Sequence, residues 1–228
     1  MKIIRKIFGD KYYEFFIHIL RYLGIIRINY NINKDLNFGS LQANSYFKNE
    51  LEKCTFYFEY GSGSSTILAK KLNKKFISIE GDYNFYHFMK KKVGEKVVYK
   101  SLGIVSFYCV PIILKYTNSI SDKYKNKIIS YCSENISNIS KTGIDFPDLI
   151  LVDGRFRVLT CFFLFKYLKD RNHKFKIIID DFKGREYYHV LNKFFNIILV
   201  GRLGVVMSLK NNDYDLDNYI NNYVKDWR

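Results

Sequence analysis

Between two apolar runs the chain reads Glu59-Tyr60-Gly61-Ser62-Gly63-Ser64-Ser65-Thr66. Glycines there let the backbone turn sharply and approach a ligand closely, while a helix that follows offers free N–H groups. About twenty residues on, Glu80 ends the next apolar run ahead of Gly81 and Asp82, the spacing at which an acid can accept the hydroxyls of a ribose. Three more acids, Asp153 and the pair Asp180-Asp181, close two later apolar runs. They could take a proton from a reacting group, or hold a divalent cation such as magnesium. Helix capping and tight turns would use the same residues. Thr66 stands where a dinucleotide loop has its third glycine. Glu59 would repel a pyrophosphate laid against the loop but would suit a ligand with an ammonium group. An NAD-dependent oxidoreductase is the less fitting reading.

These residues need elements to position them. Cys54–Tyr60, Phe76–Glu80, Lys96–Lys100, Asp148–Asp153, Phe175–Asp180 and Asn196–Val200 read as strands, and Ser65–Asn73, Tyr83–Val93, Phe156–Asp170 and Arg185–Phe195 as helices between them. Strand and helix in alternation predict a doubly wound, mostly parallel α/β sheet covered on both faces. Arg202-Leu203-Gly204 splits the apolar run 197–209, predicting a C-terminal hairpin with one antiparallel strand. A short helix is expected around Leu41–Leu51, and one or two amphipathic helices over residues 1–26. Residues 101–147 break the rhythm and read as a long segment of the kind that contacts substrate. The expected organisation is an N-terminal helical extension (1–50), an α/β domain (51–210) and a polar C-terminal tail (211–228).

The 228 residues carry 37 Lys and Arg against 22 Asp and Glu, a net charge of +15. Such a balance favours an anionic partner, nucleic acid included, and Lys90, Lys91, Lys92, Lys96, Lys100, Lys115, Lys123, Lys125 and Lys127 form a basic stretch. A codon-driven lysine excess would leave the same mark, since Asn, Ile, Tyr and Phe are abundant too. Cys54, Cys109, Cys132 and Cys161 show no zinc-ligand spacing. No apolar run is long enough to cross a bilayer. The expected location is cytoplasmic, with residues 1–26 either packing on the fold or resting on the inner face of the membrane. The pattern leaves the oligomeric state open.

In combination, the Glu59–Thr66 loop, Ser78-Ile79-Glu80-Gly81-Asp82 and Val152-Asp153-Gly154-Arg155-Phe156-Arg157 resemble the class I S-adenosylmethionine-dependent methyltransferases, especially bacterial members with E-Y-G-S-G-x-S-T and V-D-G-R-F-R motifs. The resemblance covers roughly Leu51–Leu209 and implies a Rossmann-like fold. By the same resemblance Glu59, Gly61, Ser62 and Gly63 wrap the methionine part of S-adenosylmethionine, Thr66 starts the following helix, and Glu80 binds the ribose. Asp153 falls beside the transferred methyl group and Asp181 at the acidic position after the fifth strand. The implied activity is methyl transfer to a small-molecule or glycan-type acceptor at oxygen, with an RNA methyltransferase or a non-catalytic binding protein as alternatives. The chain departs from the pattern at Ser101-Leu102-Gly103, where many members have an acid for the adenine amino group. Arg155 and Arg157 could pin an anionic substrate or form surface salt bridges, and His173 and His189 are bases only by residue type.

Overall fold

The computed structural model describes residues 32, 35–100, 122–141, 146–171 and 173–226. The expected helices of residues 1–26, Cys109 and the Ser101-Leu102-Gly103 departure lie outside them. A helix, α1 (Leu41–Lys53), leads in, with Ser40 Oγ accepting from the Ala43 N–H at 3.1 Å as its cap. The alternating part follows as β1 (Phe56–Tyr60), α2 (Ser64–Lys71), β2 (Lys75–Glu80), α3 (Tyr83–Val93), β3 (Val97–Tyr99), α4 (Asp122–Lys141), β4 (Leu149–Val152), α5 (Arg157–Leu168) and β5 (Lys176–Ile179). A 3-10 helix (Glu186–Lys193) leads into the hairpin of β6 (Phe195–Val200) and β7 (Leu203–Leu209), and α6 (Leu216–Tyr223) follows.

The seven strands form one sheet in the order β3-β2-β1-β4-β5-β7-β6, with β1 to β5 parallel and β7 antiparallel to both its neighbours. This is the doubly wound, Rossmann-like arrangement expected from the alternation. Every residue of β1 is buried, as a central strand covered on both faces requires. Phe56, Phe58 and Tyr60 enter the core formed with α4, α5 and α6, whereas Tyr57 enters the one formed with α1, α2 and α3.

The register positions the site. Tyr60 lies opposite Ile79 and Val152, and Val152 opposite Ile179, so these four make one row across the sheet. Gly61, Glu80, Asp153 and Asp180 come next along their strands. Three of them are held by the ladder, with Gly61 N–H donating to Ile79 O at 2.8 Å, Asp153 N–H to Tyr60 O at 2.9 Å and Asp180 N–H to Val152 O at 3.1 Å. In open α/β sheets ligands bind at this edge, beyond the carboxyl ends of the strands.

Three sequence expectations change. Residues 122–141, read as part of a substrate-contacting segment, form a 20-residue helix that buries Ile128, Tyr131, Cys132, Ile136 and Ile139 against α5. The helix expected over 185–195 is a 3-10 helix. The polar residues after 211 include α6, capped by Asp215 and buried at Ile220. Among the described residues no helix is long and apolar enough to cross a membrane. Cys54, Cys132 and Cys161 are buried free thiols.

Candidate active site

The loop after β1 makes opposite use of its two glycines. Gly61 has φ +93°, and a Cβ there would stand 2.8 Å from Gly154 N and 2.9 Å from Asp153 C, so the loop closes against the end of β4 without room for a methyl group. A Cβ on Gly63 would meet nothing within 4 Å. The turn is therefore packed on one side and open on the other, where a ligand can approach the backbone.

Glu59 locks this loop from beneath. Its carboxylate is fully buried and accepts hydroxyl hydrogen bonds from Tyr57 at 2.6 Å, from Ser65 at 2.6 Å and from Thr66. Thr66 Oγ1 in turn accepts from the Gly63 N–H at 2.8 Å, closing the first turn of α2. Burial raises the Glu59 pKa, and the hydroxyls from Ser65, Thr66 and Tyr57 oppose the shift. Expected to face a ligand's ammonium group, the carboxylate instead points into the fold, because the hydroxyls of β1 and α2 satisfy it there.

Glu80 bridges two turns. Its carboxylate accepts from the Ser62 N–H at 3.1 Å and the Asp82 N–H at 2.8 Å, and Ser62 Oγ meets Ser78 Oγ at 2.7 Å. Only 5% exposed, it has a pKa pushed up by burial to about 7, with the backbone amides restraining the rise. A donor-rich, positively charged ligand would draw it back toward the ionised form.

Across the sheet the acids meet arginines. Arg157, at the start of α5, donates to Gly154 O at 2.9 Å and Asp180 O at 2.6 Å, and pairs with Asp153 at 3.1 Å and Asp181 at 3.4 Å. Arg202, in the β6–β7 turn, grips Asp180 through two 2.8 Å bonds and reaches Asp181 at 3.2 Å. Arg185 completes the set, 2.5 Å from Asp181. The turns are held in unusual backbone conformations, with φ +55° at buried Phe156 and φ +56° at Asp181. Asp153 is the most exposed of the three carboxylates, Asp181 is less so and Asp180 is buried. Desolvation and the neighbouring Asp180 and Asp181 carboxylates hold its pKa well above the usual range despite Arg157.

The arrangement revises several expectations. Three guanidiniums occupy the three carboxylates considered for magnesium, and among the described residues no group of acids, histidines and cysteines could hold a metal ion. Asp181, expected as a reacting carboxylate, is bound by Arg157, Arg185 and Arg202 and orients them. Arg157 is a partly buried clamp on Asp153 and Asp181 rather than a substrate pin. His173 packs its ring on Phe146 and His189 on Phe182. Of the basic stretch, Lys90 reaches Glu95 at 2.8 Å, Lys92 lies over Phe88, Lys96 over Phe76, and Lys125 donates to Asn221 at 3.2 Å, while Lys115 lies outside the described residues. Arg202 and Tyr131 reach the strand ends without any sequence signal, each lying far along the chain from the motifs it meets.

No protein-family model matches the sequence, and no curated protein matches it. Among solved structures the chain is similar to a methyltransferase-like protein from Silicibacter pomeroyi, with a TM-score of 0.64 and 19% identity over 86% of this chain and 100% of that one. At this identity the likeness establishes the shared Rossmann-like fold.

Proposed function

We propose that the protein transfers a methyl group from S-adenosylmethionine to a hydroxyl of a small-molecule or glycan-type acceptor. The observation that carries this reading is Glu80, a buried carboxylate held by the Ser62 and Asp82 amides beside the open face of Gly63. Its acceptor oxygens suit a ribose diol, and a carboxylate with a raised pKa gains from a cationic ligand. The space at Gly63 suits the approach of the ligand's backbone-hugging part. The fold shared with a methyltransferase-like protein agrees with this choice.

When bound, S-adenosylmethionine supplies a sulfonium methyl whose carbon–sulfur bond breaks as the bond to the acceptor oxygen forms. The chain's share of the work is alignment, and the strand-end row of Gly61, Glu80 and Asp153 is fixed by backbone hydrogen bonds for that purpose. Asp153 takes the acceptor's proton. Its raised pKa makes the ionised form a stronger base than an ordinary aspartate, and Arg157 holds the carboxylate in place. Asp181 keeps Arg157 and Arg185 oriented around it.

Titration calorimetry with S-adenosylmethionine on the full chain tests the reading. Saturable binding is expected, weakened about tenfold or more in Glu80→Ala. Absence of binding to the unaltered chain would sink it.

A further inference from the structure

The positive charge is not spread evenly over the fold. Because β1 to β5 run parallel, the segments that enter them lie at one edge of the sheet, opposite the edge that carries the candidate site. The segments entering β2, β3 and β5 (70–75, 90–96 and 169–176) hold 12 Lys and Arg against 2 Asp and Glu. The turns leaving β1, β2, β4 and β5 (61–63, 81–82, 153–156 and 180–185) hold 3 against 4. A lysine excess set by codon usage would enrich both edges alike. Cations at helix C-termini are ordinary, since they meet the carbonyl end of the dipole, and Lys70, Lys71 and Lys90 to Lys92 end α2 and α3. Lys75, Lys96, Lys174 and Lys176, however, lie where strands begin, outside any helix.

Backbone carbonyls hold several of these lysines together. Lys70 Nζ donates to Lys92 O at 2.5 Å, Lys74 Nζ to Glu52 O at 2.5 Å and Cys54 O at 2.8 Å, and Lys96 Nζ to Lys74 O at 3.2 Å. These bonds tie the segments entering β1, β2 and β3 to one another, and a carbonyl fixes an ammonium without cancelling its charge. The acids of this edge have fixed partners: Asp148 accepts from the Thr55 and Phe56 amides at 2.9 Å each, and Glu50 takes Lys176 at 2.6 Å. Five neighbouring strands span about 19 Å at ordinary spacing, so the charge forms a broad face rather than a pocket. The rings of Phe56 and Phe76 are buried beneath Lys75 and Lys96. Ammonium groups rather than aromatic faces are therefore presented there, which suits a layer of phosphates better than unpaired bases.

We infer that this edge docks the protein on an anionic lipid surface, its lysines meeting headgroup phosphates while the candidate site at the opposite edge faces away from the membrane. Each lysine near such a surface adds its own increment of attraction, so a gathered set binds where scattered ones do not. The docking is independent of S-adenosylmethionine binding, and it places the anionic partner a strand's length from Asp153.

Co-sedimentation of the full chain with vesicles of phosphatidylcholine alone, and of phosphatidylcholine mixed with phosphatidylglycerol, tests it. The variant Lys71→Gln, Lys91→Gln, Lys169→Gln, Lys174→Gln alters four exposed side chains of this edge. Its control loses the same charge elsewhere through Lys48→Gln, Lys125→Gln, Lys183→Gln, Lys225→Gln. Expected is binding to the mixed vesicles only, weakened by added salt, with a loss of about a hundredfold or more in the edge variant and less than about tenfold in the control. Undiminished binding by the edge variant, or equal losses in the two variants, would overturn the assignment. Failure of the parent chain to bind the mixed vesicles would overturn it as well, and a labelled RNA bound in their place, read by fluorescence anisotropy, would make nucleic acid the partner of this edge.

Discussion

At the ends of β1 and β2 the carboxylates of Glu59 and Glu80 are met by neutral donors, three hydroxyls in one case and two backbone amides in the other. At the ends of β4 and β5 those of Asp153, Asp180 and Asp181 are met by Arg157, Arg185 and Arg202. The same functional group at neighbouring points of one sheet edge thus does two jobs. Neutral donors satisfy a carboxylate's lone pairs without supplying an opposite charge, and burial raises the pKa of Glu59 and Glu80 against the lowering effect of those donors. Guanidiniums cancel the charge and fix geometry, so the second group forms a nearly neutral frame with Asp153 at its open rim. The proposed function gives the first region the cofactor and the second the reacting groups.

The sharpest way to break this contrast is to take the central cation from the frame. Arg157→Met should cost about 2–3 kcal/mol in urea unfolding, because Asp153 loses its guanidinium and Gly154 O and Asp180 O lose their donor, while Arg185 and Arg202 still hold Asp181. An effect below about 1 kcal/mol would mean that the frame is a solvated surface cluster.

The neutral-donor side should answer to pH. Glu80 has an ordinary pKa of 4.5 and one of about 7 in the fold, so the folded chain holds its proton more tightly. Its ionisation costs nothing below pH 4.5, and stability falls as the pH rises to about 7, by about 3 kcal/mol in all. Glu80→Gln should remove that part of the decline. Urea midpoints measured across this range in both proteins check it, and parallel curves would refute it.

The smallest stability effect belongs to Gly63→Ala. With φ −179° and nothing within 4 Å of the added methyl, it should change stability by no more than about 1 kcal/mol. Binding of S-adenosylmethionine, read by calorimetry, should nonetheless weaken, since the methyl fills the face the ligand needs. Equal binding would place the ligand elsewhere.

How far the sequence reached follows the same division. Glycines in a strand-to-helix turn and an acid at the end of the next strand are local signals, and the turn around Gly61 and the place of Glu80 were legible from spacing. α3 was legible too, because Asp82 and Gly94 bound its apolar pattern. Partners that meet across the chain were not. Nothing in the run around Asp180 announces Arg202, and nothing in the motifs announces Tyr131. Glu59 was assigned outward because its charge suits an ammonium group; its inward turn depends on Tyr57 two residues before it on the same face of β1, and on hydroxyls of α2. The 3-10 helix at Glu186–Lys193 and the integration of α4 likewise depend on packing against α5, which periodicity alone does not reveal.

Arg202 also sets an order of events during synthesis. It lies in the β6–β7 turn, yet it holds Asp180 and donates to Asn37 O at 2.9 Å, a residue made 165 positions earlier. While the chain is emerging, the strand-end aspartates exist before this counter-ion does. Asp180, 3% exposed in the finished fold, lacks its bidentate partner until the hairpin is synthesised and docked. The segment before α1 has no anchor on the hairpin until then either. One late residue therefore couples both, so that the frame is completed only after the hairpin has been made.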